Sequence, residues 1–321
     1  MAETRFLPDT QHRFHHEKIS FWHVYLGLLL QLFLFIVFMV VAAIVSPIFF
    51  DIRNISNLFK QSVPLMIMAL ALVLPSRVNG IDLSAGAVFA ASACVFASFA
   101  SENMAVPGLI IALAIGLAVG AVNGMANMFI HIPSAVLTMT VSAAVTFVVS
   151  LMIGWGVKVF WGGRPIYVES KGLDVTTAAV GSLFIALILV MGLINFTRLG
   201  GEGQIQKRLV FTAYTAGGLL YSIAAVYLVM RNQMGSPILV ELGSTLYLLF
   251  VAGAIYINRS ARIRFMPMVC ALMAALSWNL MPSVLSILDL DYSVQRLMLL
   301  IFTAAIIIPA FFVQRGCRSR I

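Results

Sequence analysis

The sequence predicts an all-α, polytopic integral membrane protein with about ten transmembrane helices. Of the 321 residues, 61% are hydrophobic and only 10% are charged, and the mean hydropathy is +1.02. A soluble domain of this length could not carry such a composition without exposing large apolar patches. Apolar runs long enough to cross a bilayer follow one another from Val24 to Val313 with short connections. These observations indicate one membrane domain.

The apolar runs divide the chain into a membrane domain and two short tails. We expect a cytoplasmic tail over 1–23, a transmembrane domain over 24–313 and a second cytoplasmic tail over 314–321. The first apolar run is too long for the core of a cleaved signal peptide, so it is expected to stay as an anchor. The predicted spans cover 24–47, 58–76, 83–100, 107–129, 133–153, 177–195, 209–229, 238–257, 266–281 and 296–313.

The basic residues predict the orientation of these spans. The net charge is +8, but the Lys and Arg residues lie at the ends of apolar runs and form no separate basic domain, so nucleic acid is not an expected partner. Basic clusters occur before the first span, over 198–208, over 259–264 and over 315–320. The positive-inside rule places all four on the cytoplasmic side. An even number of spans then puts both termini in the cytoplasm.

A polar break, RVNGIDLSAG, separates the second apolar run from the third. Irregular backbone is tolerated at membrane depth only where it is buried in protein or lines a wet cavity. The break is therefore predicted to line or shape a translocation path, with Asn79, Gly80, Asp82 and Ser84 as its candidate residues. Two roles stay open for Asp82, which could cap the third helix or act directly at the path.

The fourth span carries a periodic pattern of small and polar residues. Gly116, Gly120 and Gly124 recur at a spacing of four and so share one helix face, where another helix can approach closely. Asn123 and Asn127 share a neighbouring face, and both a path-lining role and interhelical hydrogen bonding fit them. Gln61 in the second span and Asn279 in the ninth are further candidates for the path.

The sequence contains no motif that indicates an enzyme or a bound cofactor. The N-terminal tail holds His12, His15 and His16 beside Glu17, but a second pair of preorganised metal ligands is missing. The more economical interpretation is a basic segment held at an anionic lipid surface. We therefore expect no metal site and no cofactor on this chain.

Several of these segments resemble the membrane permease subunit of bacterial ABC importers for ribose, xylose, related monosaccharides and autoinducer-2. The resemblance is carried by FFDIRNISNLFKQS, NGIDLSAGAVFAASACVFA, GLAVGAVNGMANMFIHIPSAVLTMT and GGRPI, and more weakly by segments of the second half. It implies a ten-helix permease of the inner membrane that dimerises around a central path. It also implies an external sugar-binding protein and a cytoplasmic ATPase, which would bind the ATP and magnesium.

The chain departs from this family in the cytoplasmic segment that should contact the ATPase. The family has a longer segment with a short helix there, whereas GEGQIQKR leads directly into the next span. The departure implies that this chain is one half of a heteromeric permease, although pairing with itself also fits. The coupling residues implied by the resemblance are Arg198, Leu199, Gly200, Glu202, Lys207 and Arg208.

Two other classes of function stay open on the sequence. An ion- or proton-coupled secondary transporter would need a titratable residue inside the membrane. By the predicted topology the carboxylates lie near span ends, which favours the ABC importer. A membrane scaffold without transport activity would explain the short cytoplasmic segment but not the polar break.

Overall fold

The structure, a computed structural model, describes residues 21–130, 132–154, 175–196, 204–232, 245–257 and 265–318. These ranges contain α-helices joined by short connections, one 3₁₀ turn (Pro47–Phe50) and no strand. The ten described helices are α1 (Phe21–Val45), α2 (Ile52–Arg77), α3 (Ala85–Ser101), α4 (Ala105–Phe129), α5 (Ser134–Gly154), α6 (Val175–Phe196), α7 (Gln204–Asn232), α8 (Thr245–Ile257), α9 (Met266–Ile287) and α10 (Tyr292–Arg318).

Length and hydropathy show that this is a multi-pass membrane fold. Within the described ranges, six helices are long and apolar enough to cross a membrane, namely α1, α2, α4, α7, α9 and α10. Four shorter apolar helices accompany them, within α3, α5, α6 and α8. The all-helical, polytopic class is confirmed, and the number of spans and their orientation stay predictions.

Several helices are longer than the spans predicted from the sequence. The helix α7 begins at Gln204 and not at 209, because the polar residues before its apolar run also favour a helix. The helix α9 continues to Ile287 and contains Pro282, since neighbouring helices make proline tolerable inside membrane helices. The last helix also continues, to Arg318, into the segment predicted as the C-terminal tail.

The helix α2 lies at the centre of the fold. Every residue from Ser62 to Ser76 is buried, and α6, α7, α8 and α9 pack around this stretch. Pro64 has no N–H to donate to the Lys60 carbonyl one turn earlier. The Tyr227 hydroxyl of α7 donates to that carbonyl at 3.2 Å, so the proline leaves no orphaned acceptor.

The outer helices expose apolar side chains. Leucine, isoleucine, valine and phenylalanine cover the exposed faces of α1, α4 and α10; Ile44, for example, is 77% exposed. Apolar surface of this extent is expected where a protein faces lipid or another subunit.

Candidate functional site

The polar break predicted from the sequence is the connection between α2 and α3. The helix α2 ends at Arg77, and the following turn has the hydrogen bonds of a Schellman motif. The Gly80 amide donates to the Pro75 carbonyl at 2.9 Å, and the Asn79 amide donates to the Ser76 carbonyl at 3.3 Å. Asn79 has a φ of 61°, a left-handed conformation that asparagine tolerates better than most residues. Asn79 therefore ends α2, and its side chain is exposed.

Side chains from α5 pair the backbone of the break. The Ser134 hydroxyl accepts from the Ile81 amide at 2.9 Å. The Thr138 hydroxyl accepts from the Leu83 amide at 3.0 Å and lies 3.2 Å from the Ile81 carbonyl, to which it can donate. These bonds replace the helical ladder that is interrupted here, as irregular backbone at membrane depth requires.

The helix α8 supplies one further bond to the break. The Tyr256 hydroxyl donates to the Gly80 carbonyl at 3.1 Å. Three elements distant in sequence, namely the break, α5 and α8, are thus joined by hydrogen bonds to main-chain atoms. A movement of α5 or α8 would therefore displace the backbone of the break through these hydrogen bonds.

Asp82 lies two residues before Ser84, which is the N-cap residue of α3, and its carboxylate binds that residue instead of the amides of the first helical turn. Its Oδ1 atom accepts from the Ser84 amide at 2.9 Å and from the Ser84 hydroxyl at 2.7 Å. The Asn123 amide group of α4 donates to the Ser84 hydroxyl at 2.7 Å and lies 3.4 Å from the Asp82 Oδ1 atom. All three side chains are fully buried. Asp82, Ser84 and Asn123, predicted separately, therefore form one polar cluster.

The glycine face of α4 packs against the backbone of α7. A Cβ atom at Gly120 would lie 2.9 Å from the Thr215 Cα atom, and one at Gly124 would lie 2.9 Å from the Phe211 Cα atom. A Cβ atom on Gly218 of α7 would lie 3.0 Å from the Gly120 Cα atom. Real Cβ atoms do not approach backbone so closely without displacing it. The seam, meaning the contact of Gly116, Gly120 and Gly124 with α7, admits only glycine unless the helices separate.

The remaining path candidates lie apart from this cluster. The Asn127 side chain donates to the Asn123 carbonyl of its own helix at 2.8 Å. Asn279 donates to the Ser62 hydroxyl at 2.9 Å. Gln61, the residue before Ser62, is exposed. Fifteen residues of α2, or about 22 Å of helix, separate Ser62 from the end of α2 at the break.

Five functional candidates were missed by the sequence analysis. Their side chains or backbone contact the break or the seam, but each lies far from Asp82 in sequence, so no local pattern connects them. The only local signal was the hydroxyl-rich start of α5, and it did not show which helix the hydroxyls face. The missed residues are Ser134, Thr138, Tyr214, Gly218 and Tyr256.

Part of the predicted coupling segment lies outside the described residues. Arg198, Leu199, Gly200 and Glu202 belong to that part, as does the histidine-rich stretch at 12–16. Lys207 and Arg208 are described; both are exposed, and they lie in the first turns of α7 and not in a loop. In the described part of the chain, no three His, Cys, Asp or Glu side chains are grouped so that they could hold a metal ion.

A comparison with protein families finds a similarity within the first two thirds of the chain. Residues 54–204 match the family described as the branched-chain amino acid transport system / permease component. This match includes the break, α4 with its glycine face, and α5. The permease resemblance inferred from the sequence motifs is thereby confirmed.

Individual relatives agree with the family match. The chain is 28% identical to the ribose import permease protein RbsC of Escherichia coli, with 63% of this chain and 69% of the relative covered. It is 30% identical to the protein of the same name from Haemophilus influenzae, over 41% of this chain and 38% of the relative. No solved structure matches the chain significantly.

Proposed function

We propose that this chain is the permease component of a bacterial ABC importer and that it imports a monosaccharide or a similar small polar solute. The observation that carries the proposal is the similarity to ribose import permeases over 63% of the chain. ATP would be hydrolysed by a separate cytoplasmic subunit, and the chain itself would bind no cofactor. Autoinducer-2 is a second substrate of the proposed class.

The break supports this function physically. A permease needs two arrangements that open to opposite sides of the membrane. The backbone of the break is held by hydrogen bonds to side chains of other helices. Such bonds can change partners more easily than the backbone hydrogen bonds of a continuous helix. Asp82, Ser84 and Asn123 line or shape the path in this proposal, with Asn79 and Gly80 fixing the end of α2. Gln61, Asn127 and Asn279 are proposed to contribute nearer the ends of the path.

The proposal includes three protein partners in the inner membrane or at its surfaces. A cytoplasmic ABC ATPase would contact the residues around 198–208, and an external sugar-binding protein would deliver the solute. The second permease subunit is proposed to be a paralogue, because the segment before α7 is shorter than in the family. Lys207 and Arg208, which are exposed in the first turns of α7, would then carry the remaining contacts with the ATPase.

Co-purification tests the class of transporter. The tagged chain is extracted from its native membrane in mild detergent, and the proteins that stay bound are identified. We expect one soluble ATPase and one further permease subunit at about equal amounts. Recovery of the chain with itself alone, under conditions that keep a known ABC importer intact, would contradict both partner proposals.

One observation favours a second candidate, a proton- or ion-coupled secondary transporter. Such a transporter needs a titratable group inside the membrane, and Asp82 is the only carboxylate that is buried among the described residues. Its bonds to Ser84 at the start of α3 also account for its presence without a role in energy coupling. The energy source for transport distinguishes the two candidates.

A further inference from the structure

The peptide group between Gly80 and Ile81 is held by side chains at both of its polar atoms. The Tyr256 hydroxyl of α8 donates to the Gly80 carbonyl at 3.1 Å. The Ile81 amide donates to the Ser134 hydroxyl of α5 at 2.9 Å. This carbonyl and this amide belong to one planar unit, because the bond between them does not rotate freely. Two helices that are distant in sequence therefore fix the orientation of a single peptide group in the break.

A third helix contacts the same peptide group through Tyr214 of α7. Gly80 is buried, and Tyr214 is only 1% exposed. A Cβ atom added to Gly80 would overlap the Tyr214 hydroxyl and would lie 3.0 Å from the ring carbon Cζ. Protein interiors are packed too closely to absorb such an overlap without a shift of the chain. The end of the Tyr214 ring thus occupies the space that a side chain at position 80 would need.

The lack of space, and not the backbone conformation, explains the glycine at position 80. The residue that adopts a left-handed conformation in this turn is Asn79, with a φ of 61°. Gly80 itself lies outside the left-handed region, so its φ does not require a glycine. Gly80 and Tyr214 are therefore complementary in size, and this pair sets the distance between the break and α7.

The position of this peptide group determines where the chain enters α3. The helices α7 and α8 both pack against α2 and against α3, the two helices that the break joins. Asp82 follows Ile81 directly, and its carboxylate binds Ser84 at the start of α3. A displaced peptide group would therefore move Asp82 and the polar cluster to which it belongs.

We propose that Tyr214 and Tyr256 are positioning residues for transport, which hold the peptide group after Gly80 between α7 and α8 and so place Asp82 at the start of α3. Tyr214 acts through its size, and Tyr256 acts through its hydrogen bond. Neither side chain needs to touch the solute. This inference rests on the proposed transport function, in which the break lines or shapes the path.

A double-mutant cycle tests the contact between Gly80 and Tyr214. Gly80→Ala is expected to lower the unfolding temperature of the purified chain and to lower ATP-driven uptake per assembled complex about tenfold. Tyr214→Phe removes the oxygen atom that the added methyl group would overlap. In that background Gly80→Ala is expected to lower uptake only about threefold, because the two positions are in direct contact and their effects are not independent.

Gly217→Ala in α7 is the matched control for the added methyl group. The atoms nearest to a Cβ at this position, the Ala71 carbonyl oxygen among them, lie 3.7 Å away, which is an ordinary contact distance. The control is therefore expected to keep both the unfolding temperature and the uptake, whether position 214 is tyrosine or phenylalanine.

Tyr256→Phe tests the hydrogen bond, with Tyr227→Phe as its control. Each substitution removes a hydroxyl that donates to a main-chain carbonyl, of Gly80 at 3.1 Å or of Lys60 at 3.2 Å. Both are expected to lower the unfolding temperature by similar amounts. Only Tyr256→Phe is expected to lower the maximal rate of uptake, by about tenfold, at an unchanged half-saturating concentration of the loaded binding protein. A purely structural role would leave the rate per assembled complex unchanged in both variants.

These measurements separate the inference from the function on which it rests. An equal effect of Gly80→Ala in both backgrounds would overturn the inference, and so would uptake by Tyr256→Phe as fast as by Tyr227→Phe. If Gly80→Ala does not assemble, assembly of the double variant supports the inference and its failure contradicts it. Absence of ATP-driven uptake in the unmodified protein would instead contradict the proposed function. The unfolding temperatures need no ATPase, so they would then still decide whether Tyr214 sets the position of the break.

Discussion

Hydroxyl side chains form hydrogen bonds with the backbone of the connection between α2 and α3. An unpaired peptide group at membrane depth costs several kcal/mol, and water is not available there to replace the bond. A hydroxyl can donate and accept, and it is far cheaper to bury than a charge. Thr138 is positioned to do both, because it contacts the Leu83 amide and the Ile81 carbonyl. The break therefore depends on a few neutral side chains of neighbouring helices.

The first prediction concerns Thr138. Thr138→Val keeps the shape of the side chain but leaves the Leu83 amide unpaired, so we expect a loss of about 1–3 kcal/mol in the free energy of unfolding. Thr140→Val is the control, because the Thr140 hydroxyl donates only to the Val136 carbonyl in its own helix. Thermal unfolding of both variants in detergent makes the comparison. Equal stability of the two would show that α5 does not hold the break.

The second prediction concerns Asp82, whose side chain binds Ser84 at the start of α3. Asp82→Ala leaves the buried amide of Ser84 without its partner and is expected to destabilise the chain by about 1–3 kcal/mol. Transport is expected to fall much further than assembly, because the break shapes the path. Assembly is measured by size-exclusion chromatography, and transport by uptake per assembled complex. A variant that does not assemble would mean that Asp82 is only structural.

The sequence allowed the break to be predicted but not its partners. The polar interruption between two apolar runs, and the nearby pair Asp82 and Ser84, are local features that can be recognised in a single segment. Ser134 and Tyr256 are 53 and 176 residues from their partners in the break. Nothing in a single sequence shows which helices become neighbours in the bundle, so these contacts became visible only in three dimensions.

The seam is the main contact between two helices in the candidate site. Without a hydrophobic driving force between helices in lipid, association depends on close packing, and small residues allow the backbones to approach. The periodic glycines of α4 predicted such a face correctly. The sequence did not identify α7 as the partner, because the Gly217 and Gly218 pair carries no periodic pattern of its own.

The third prediction tests this packing. Gly120→Leu places a side chain where the Tyr214 and Thr215 backbone lies, so α4 and α7 must separate, at a cost of at least about 1–3 kcal/mol. Gly192→Leu in α6 is the control, because no atom lies within 4 Å of a Cβ added there. Fluorescence-detected chromatography and thermal unfolding compare the two. Normal folding and transport of Gly120→Leu would place the glycine face in lipid.

The whole molecule combines a buried central helix with apolar outer helices. The apolar lengths and the order of the helices follow from hydropathy, which is why the ten predicted spans overlap the ten described helices. Helix ends were harder to predict, since α7 begins five residues, four of them polar, before the apolar run that marks the span. Hydropathy marks the part of a helix that faces lipid. It does not mark the ends of a helix that extends beyond the apolar run.

The fourth prediction concerns the orientation of the molecule. The basic residues around 198–208 predict that the start of α7 lies in the cytoplasm. A cysteine introduced by Gln204→Cys, with Cys317 replaced by serine, is expected to react with a membrane-impermeant maleimide only after the cells are opened. Glu102→Cys, at the exposed end of α3 on the opposite side, is the control and should react in intact cells. Labelling of position 204 in intact cells would contradict the predicted topology and indicate the opposite orientation.

The energy source for transport is the most direct test of the account at the scale of the whole molecule. The chain is reconstituted into vesicles with its ATPase and second permease subunit, and uptake of radiolabelled ribose is measured in the presence of the binding protein. We predict uptake that requires ATP on the cytoplasmic side and that persists when proton and sodium gradients are abolished. Uptake driven by either gradient in vesicles that contain this chain without an ATPase would contradict the account.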